Sequence, residues 1–166
     1  MTNPVPPAQR SASPVLGVPS RTRYLVVVFA IILAIIQYID RVSISKAMPF
    51  IQRDLHFSDV QAGYVFGAFT LAYALFEIPA GWLGDRFGPR SVLLRVVMWW
   101  SFFTAATGWA TGVTSLILIR LFFGIGEAGA FPNITRVFTT WLPVKERERA
   151  QAWLWLATRW SGAFTP

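Results

Sequence analysis

Six ionisable side chains stand within stretches that are otherwise apolar: Asp40, Arg41, Glu77, Arg95, Arg120 and Glu127. Charges in such company are costly and usually face a partner or a water-filled cavity, so each is a functional candidate. Arg120, Gly124 and Glu127 stand at i, i+4 and i+7, which on an α-helix lines a guanidinium, a flat glycine surface and a carboxylate along one stripe. Gln37 and Arg41 share a face in the same way, with Tyr38 three residues before Arg41. A guanidinium is a fixed cation that grips a carboxylate bidentately. A carboxyl group kept away from water can take up and release a proton near neutral pH. Together these groups describe a site for an organic anion with proton coupling. The alternative is an internal ion pair, Arg41 or Arg120 with Asp40 or Glu127, that only neutralises charge. Arg95 can snorkel from near a helix end to the interface, and Glu77 is placed to pair with a loop arginine.

The elements that must position these groups follow from composition. The chain of 166 residues is 54% hydrophobic and only 14% charged, with 8 Trp and 14 Phe and a mean hydropathy of +0.48. A soluble domain carries about 25% charged residues, and a small one cannot hide so many aromatics from water. Disorder, collagen and coiled coil are excluded on the same grounds. With no Cys and a single His56, disulfides, thiolate metal sites and most acyl-transfer chemistry are excluded too.

A helix needs about 20 apolar residues to span a bilayer. The spans expected are 24–48, stopping at Pro49, then 60–83, 92–111, 113–140 and a fifth, 150–166, cut short at Pro166. The fold class is therefore all-α, a polytopic transmembrane helix bundle. Residues 1–23 carry Pro4, Pro6, Pro7, Pro14 and Pro19 and form a flexible tail. Three further spans argue against reading tail and first span as a cleaved signal. The net charge of +7 reads as topology. One set of alternate segments holds Arg10, Arg21, Arg23, Arg86, Arg90, Lys145, Arg147 and Arg149, and the other holds only Lys46 and Arg53, which puts the amino terminus in the cytoplasm. In that frame Arg41 and Arg120 fall in similar layers of the membrane.

Lipid gives no hydrophobic drive for helices to associate, so small residues must let them approach. Gly63, Gly67, Ala68 and Ala72 in the second span are candidates, as are Gly124, Gly126, Gly129 and Ala130 in the fourth, with a kink at Pro132.

The segment Gly81-Trp-Leu-Gly-Asp85-Arg86-Phe-Gly88-Pro-Arg90, between the second and third spans, resembles the signature loop of the major facilitator superfamily. Its glycines suit a sharp turn and close packing, and Asp85 with the arginines suits a charge network that holds one conformational state. Pro89 stands where that superfamily often has a basic residue. Tyr38-Ile-Asp40-Arg41, the Arg120–Asn133 segment and Trp141-x-Pro143-x-x-Glu146-Arg147-x-x-Ala150 resemble elements of one branch, the anion:cation symporters that include sugar-acid permeases. The chain departs from that branch at Glu77, where Gln is usual, and at Glu148, where Gly is usual.

The resemblance implies a partial N-terminal half of a twelve-span transporter with a missing C-terminal half as partner, in a bacterial inner membrane. It implies symport of a small organic anion with protons, no enzyme activity, and neither cofactor nor metal. Substrate binding is expected at Arg41, Tyr38, Gln37, Tyr73, Arg120 and Asn133, proton coupling at Asp40 and Glu127, and conformational switching at Gly81, Asp85, Arg86, Gly88 and Arg90. The competing readings are a truncated, transport-inactive fragment, a non-transporting membrane subunit and, least favoured, an intramembrane enzyme with Asp40 and Glu127 as a carboxylate pair.

Overall fold

A computed structural model describes residues 21–164. It is all helical among the described residues: α1 Thr22–Leu55, α2 Asp59–Phe87, α3 Pro89–Thr107, α4 Val113–Glu127, α5 Ala130–Trp141 and α6 Val144–Phe164. Most of the expected tail, residues 1–20, and the last two residues of the chain lie outside the described residues.

Among the described residues, three stretches are long and apolar enough to cross a membrane: Thr22–Leu55, Asp59–Phe87 and Val113–Trp141. The third and fifth expected spans are helical, as α3 and α6, but less apolar. Arg90 and Arg95 interrupt α3, and the start of α6 carries Lys145, Glu146, Arg147, Glu148 and Arg149. Large apolar side chains such as Phe29, Leu71, Ile78 and Met98 lie on the outside of the bundle, as a lipid-facing surface requires.

The expected stop at Pro49 is corrected: α1 passes through it and ends at Leu55. Proline removes one backbone bond, but Ile44 and Met48 pack against Ala62, Val65 and Leu116 and hold the helix on course. The end is set instead by His56, which adopts the left-handed conformation (φ 53°) and donates its N–H to Gln52 O. Two residues later Ser58 opens α2 with a capping box. Its N–H donates to Gln61 Oε1 at 2.9 Å, and its hydroxyl accepts from the Gln61 N–H.

The turn between α2 and α3 needs Gly88, whose φ of 83° is strained for any residue with a side chain. Pro89 follows as the first residue of α3, where its missing N–H costs nothing.

The fourth expected span is one crossing made of two helices. Ala128 and Gly129 form a turn between α4 and α5. Pro132 lacks the N–H that would bond the Ala128 carbonyl, and its ring crowds that oxygen, so the break falls four residues before it. Glu127 is thereby the last residue of α4.

Small residues do join the helices, though not all those expected. Gly63 and Gly67 face open space, and Ala62 and Val65 are buried instead. Gly124 lies under α2, where an added Cβ would stand 2.6 Å from Phe69 O and 3.2 Å from Ala72 Cβ. Gly126 is covered by Trp99, and Gly129 by Val96 and Ala80.

Candidate functional site

Among the described residues, buried apolar side chains form two clusters. One includes Leu33 and Ala34 of α1 and Phe123 of α4. The other includes Ile44 and Met48 of α1 and Leu116 of α4. Between them lie Gln37, Asp40 and Arg41 on α1 and Arg120 on α4, while Glu127 follows Phe123 one turn further along α4. Two cations and two acids thus stand near one another among apolar side chains, a set that is neutral in sum.

The central contact is an ion pair between Arg41 Nη2 and Glu127 Oε1 at 3.2 Å. Glu127 is fully buried, whereas the Arg41 side chain is 29% exposed. The carboxylate is therefore the inner partner and the guanidinium the one that reaches outward. The Gln37 amide is buried next to Glu127. On its other side the Arg41 guanidinium lies over the rings of Tyr73, at 4.7 Å from the centroid, and Phe69, at 5.1 Å. Aromatic faces stabilise a desolvated cation without consuming its N–H groups. The Nε of Arg41 and both carboxylate oxygens of Glu127 lack a hydrogen-bond partner among the described residues, so the pair keeps unused capacity.

Arg41 opens onto a cavity of about 370 Å³. Tyr38 shares its wall from α1, Tyr73 and Glu77 from α2, and Gln151 and Trp155 from α6, while α5 closes one side with Phe131, Pro132 and Thr135. This size lies in the range of small-molecule sites, and the mixture of apolar walls with a few polar groups is what such sites use for orientation.

A second polar connection runs through α3. The Thr104 hydroxyl donates to Asp40 Oδ2 at 2.8 Å. Arg120 Nη2 donates to Thr107 Oγ1 at 2.9 Å, and the Thr107 hydroxyl donates to Phe103 O. One turn of α3 thus holds the second acid and the second arginine. Arg120 also lies over Phe123, 4.8 Å from its centroid.

The residues expected at the site separate into two groups. Arg41, Tyr38 and Tyr73 share the cavity, with Glu127 behind Arg41. Gln37, Arg120 and Asn133 do not line it. Asn133 is buried between α2 and α5, where its Nδ2 donates to Gly129 O at 2.7 Å and Ala80 O at 3.2 Å. Glu77 has no salt-bridge partner among the described residues, so the pairing with a loop arginine is corrected: it faces the cavity. Arg95 is exposed beside Phe87.

At one end of the bundle the loop residues meet α5. Asp85 forms an ion pair with Arg136, which the sequence reading did not single out. Gly81 lies against Pro132, Arg86 lies over Trp82 and Phe87, and Arg90 is exposed. At the same end Arg23 pairs with Glu146 at 3.1 Å, tying α1 to α6. Arg147 caps carbonyls of Leu142 and Thr139 at 2.9 and 2.6 Å.

The model of the family described as Major Facilitator Superfamily matches residues 30–166. Among curated proteins, the chain is 42% identical over 146 residues to a probable sulfoacetate transporter, SauU, of Cupriavidus necator, a match covering 88% of this chain and 34% of that protein. It is 42% identical to a D-galactonate transporter of Escherichia coli, over 81% of this chain and 31% of that one. It is 40% identical to a probable galactarate/D-glucarate transporter, GudP, of Pseudomonas putida, over 80% and 30%. The chain spans about a third of the length of these relatives. Among solved structures it resembles a bacterial homologue of the human lysosomal transporter Spinster, determined in an inward-facing and occupied conformation. The TM-score is 0.81 at 29% identity, covering 86% of this chain and 31% of that one.

Proposed function

The chain belongs to the Major Facilitator Superfamily, and from that premise we propose that the complete transporter it contributes to carries a small organic anion, a sugar acid or other carboxylate, in symport with protons by alternating access. The observation that carries this reading is Arg41, held by buried Glu127 on one side and open to a 370 Å³ cavity on the other. The relatives named as sulfoacetate, galactonate and galactarate/glucarate transporters support an anionic substrate.

The coupling follows from one guanidinium shared by two carboxylates. While Glu127 is ionised it holds Arg41. When it takes a proton the guanidinium is released, and a substrate carboxylate can take its place with bidentate geometry. Proton and anion therefore assist each other's binding, and that assistance is reciprocal by linkage. Asp40, held by Thr104, serves as a second proton site, and Arg120 balances its charge from across α3. Carrying an anion into a negative interior costs about 2.3 kcal/mol per charge per 100 mV. Protons moving in the same direction reverse that cost. The second half of the transporter supplies the opposite cavity wall, and rocking of the halves exposes the site to either side. The amino terminus is cytoplasmic, and the membrane is a bacterial inner membrane.

The test is Glu127→Gln in the complete transporter reconstituted into vesicles. Accumulation driven by a pH gradient is expected to disappear, while exchange of labelled for unlabelled substrate continues. Undiminished gradient-driven accumulation would remove Glu127 from the coupling.

A further inference from the structure

We propose that Glu77 sets the charge class of the substrate, admitting an acid with one carboxylate and a neutral, hydroxyl-bearing far end and rejecting a dianion; the proposal rests on the transport reading above. Tyr73 and Glu77 are four residues apart on α2, so they stand on one face, about one turn and about 6 Å apart along the axis. Tyr73 lies beneath the Arg41 guanidinium at 4.7 Å, and all three side chains line the same cavity. The cavity thus has a guanidinium at one place and, a turn further along, a carboxylate.

The two are not a pair. Arg41 is engaged by Glu127 at 3.2 Å, and Glu77 has neither a salt bridge nor a hydrogen bond among the described residues. A carboxylate that no protein donor occupies, in a half-buried cavity wall, can take hydrogen bonds from two or more hydroxyl groups. An acid whose carboxylate docks on Arg41 presents its other end to Glu77. If that end is a polyol, its hydroxyls donate to Glu77 in place of water. If it is a second carboxylate, like charges meet in a confined space, and such juxtaposition is an effective means of rejecting a wrong partner. Thr135 and Gln151, which line the same cavity from α5 and α6, can accept from or donate to hydroxyls without altering the charge balance.

D-galactonate and galactarate form the probe pair, because they differ at the far end alone, hydroxymethyl in one and carboxylate in the other. Uptake of each is measured with the complete transporter in vesicles. The unaltered protein is expected to favour galactonate by about tenfold or more in kcat/KM, Glu77→Gln to narrow the preference to within about threefold, and Glu77→Asp to retain it. An unchanged ratio in Glu77→Gln, an equal fall for both anions, or equal uptake of both by the unaltered protein overturns the proposal while leaving transport intact. Uptake of neither anion by the unaltered protein, while another small carboxylate is accumulated, overturns this proposal alone; accumulation of no small carboxylate from a panel that includes sulfoacetate overturns the transport reading, and this proposal with it.

Discussion

The arginine at position 41 does two jobs that a lysine could not combine. It meets the Glu127 carboxylate on one side and reaches the cavity on the other, while its planar face rests on Tyr73 and Phe69. Lysine keeps the charge but offers a point contact in place of a fork and does not stack. Arg41→Lys is therefore expected to raise the KM for the transported anion by about tenfold or more, measured as initial uptake rates against concentration. An unaltered KM would mean that the substrate carboxylate docks elsewhere. Arg41 and Glu127 were readable from sequence because a charge in an apolar run is conspicuous, and because the residues at 120, 124 and 127 share one face. Thr104 and Thr107 were not, since threonine is unremarkable in such a run. Their partners are set by tertiary packing: Thr104 meets Asp40 across 64 positions of the chain.

At the scale of elements, the bundle is joined where glycine meets a larger residue on the next helix. The closest such contact lies between α2 and α5. A Cβ added at Gly84 would overlap the Asn133 side-chain amide, which itself holds Ala80 O on α2 and Gly129 O before α5. Gly84→Ala is expected to destabilise the folded protein by about 1–3 kcal/mol through overpacking, seen as a lower Tm in detergent. Asn133→Ala removes a buried donor from two carbonyls and is expected to cost a comparable amount. The double variant should cost less than the sum, because the smaller residue at 133 makes room for the added methyl group. Strict additivity would show that the two positions do not touch. Sequence spacing identified the glycines of the fourth span correctly as packing surface, yet it also nominated Gly63 and Gly67, which face open space. Small size permits close approach without compelling it, and the partner helix decides which glycines are used. Pro49 and Pro132 teach the same lesson. Each removes one backbone bond, but packing around Ile44 and Met48 keeps α1 continuous, whereas the span containing Pro132 breaks at Ala128 and Gly129.

For the whole molecule, the two ends of the bundle carry different charge. The end formed by the start of α1, the α2–α3 turn and the α5–α6 connection holds Arg21, Arg23, Arg86, Arg90, Lys145, Arg147 and Arg149, while the opposite end holds Lys46 and Arg53. The basic end is also the one tied by Asp85 to Arg136 and by Arg23 to Glu146. The Asp85–Arg136 pair is exposed, and a pair of that kind contributes little static stability, about 0–1 kcal/mol. A contribution of that size would suit a contact that forms and parts in the proposed transport cycle, since a stronger clasp would trap one state. By the excess of cationic loops this end is expected in the cytoplasm, and the chain is convenient for testing that, because it has no cysteine of its own. Ser58→Cys at the α1–α2 turn and Arg90→Cys at the start of α3 both replace exposed residues at opposite ends. In intact cells a membrane-impermeant maleimide should label Cys at position 58 and leave position 90 unmodified until the membrane is permeabilised. The reverse pattern would invert the topology, and with it the direction in which the cavity loads. Labelling at both positions in intact cells would mean that charge asymmetry does not fix the orientation at all.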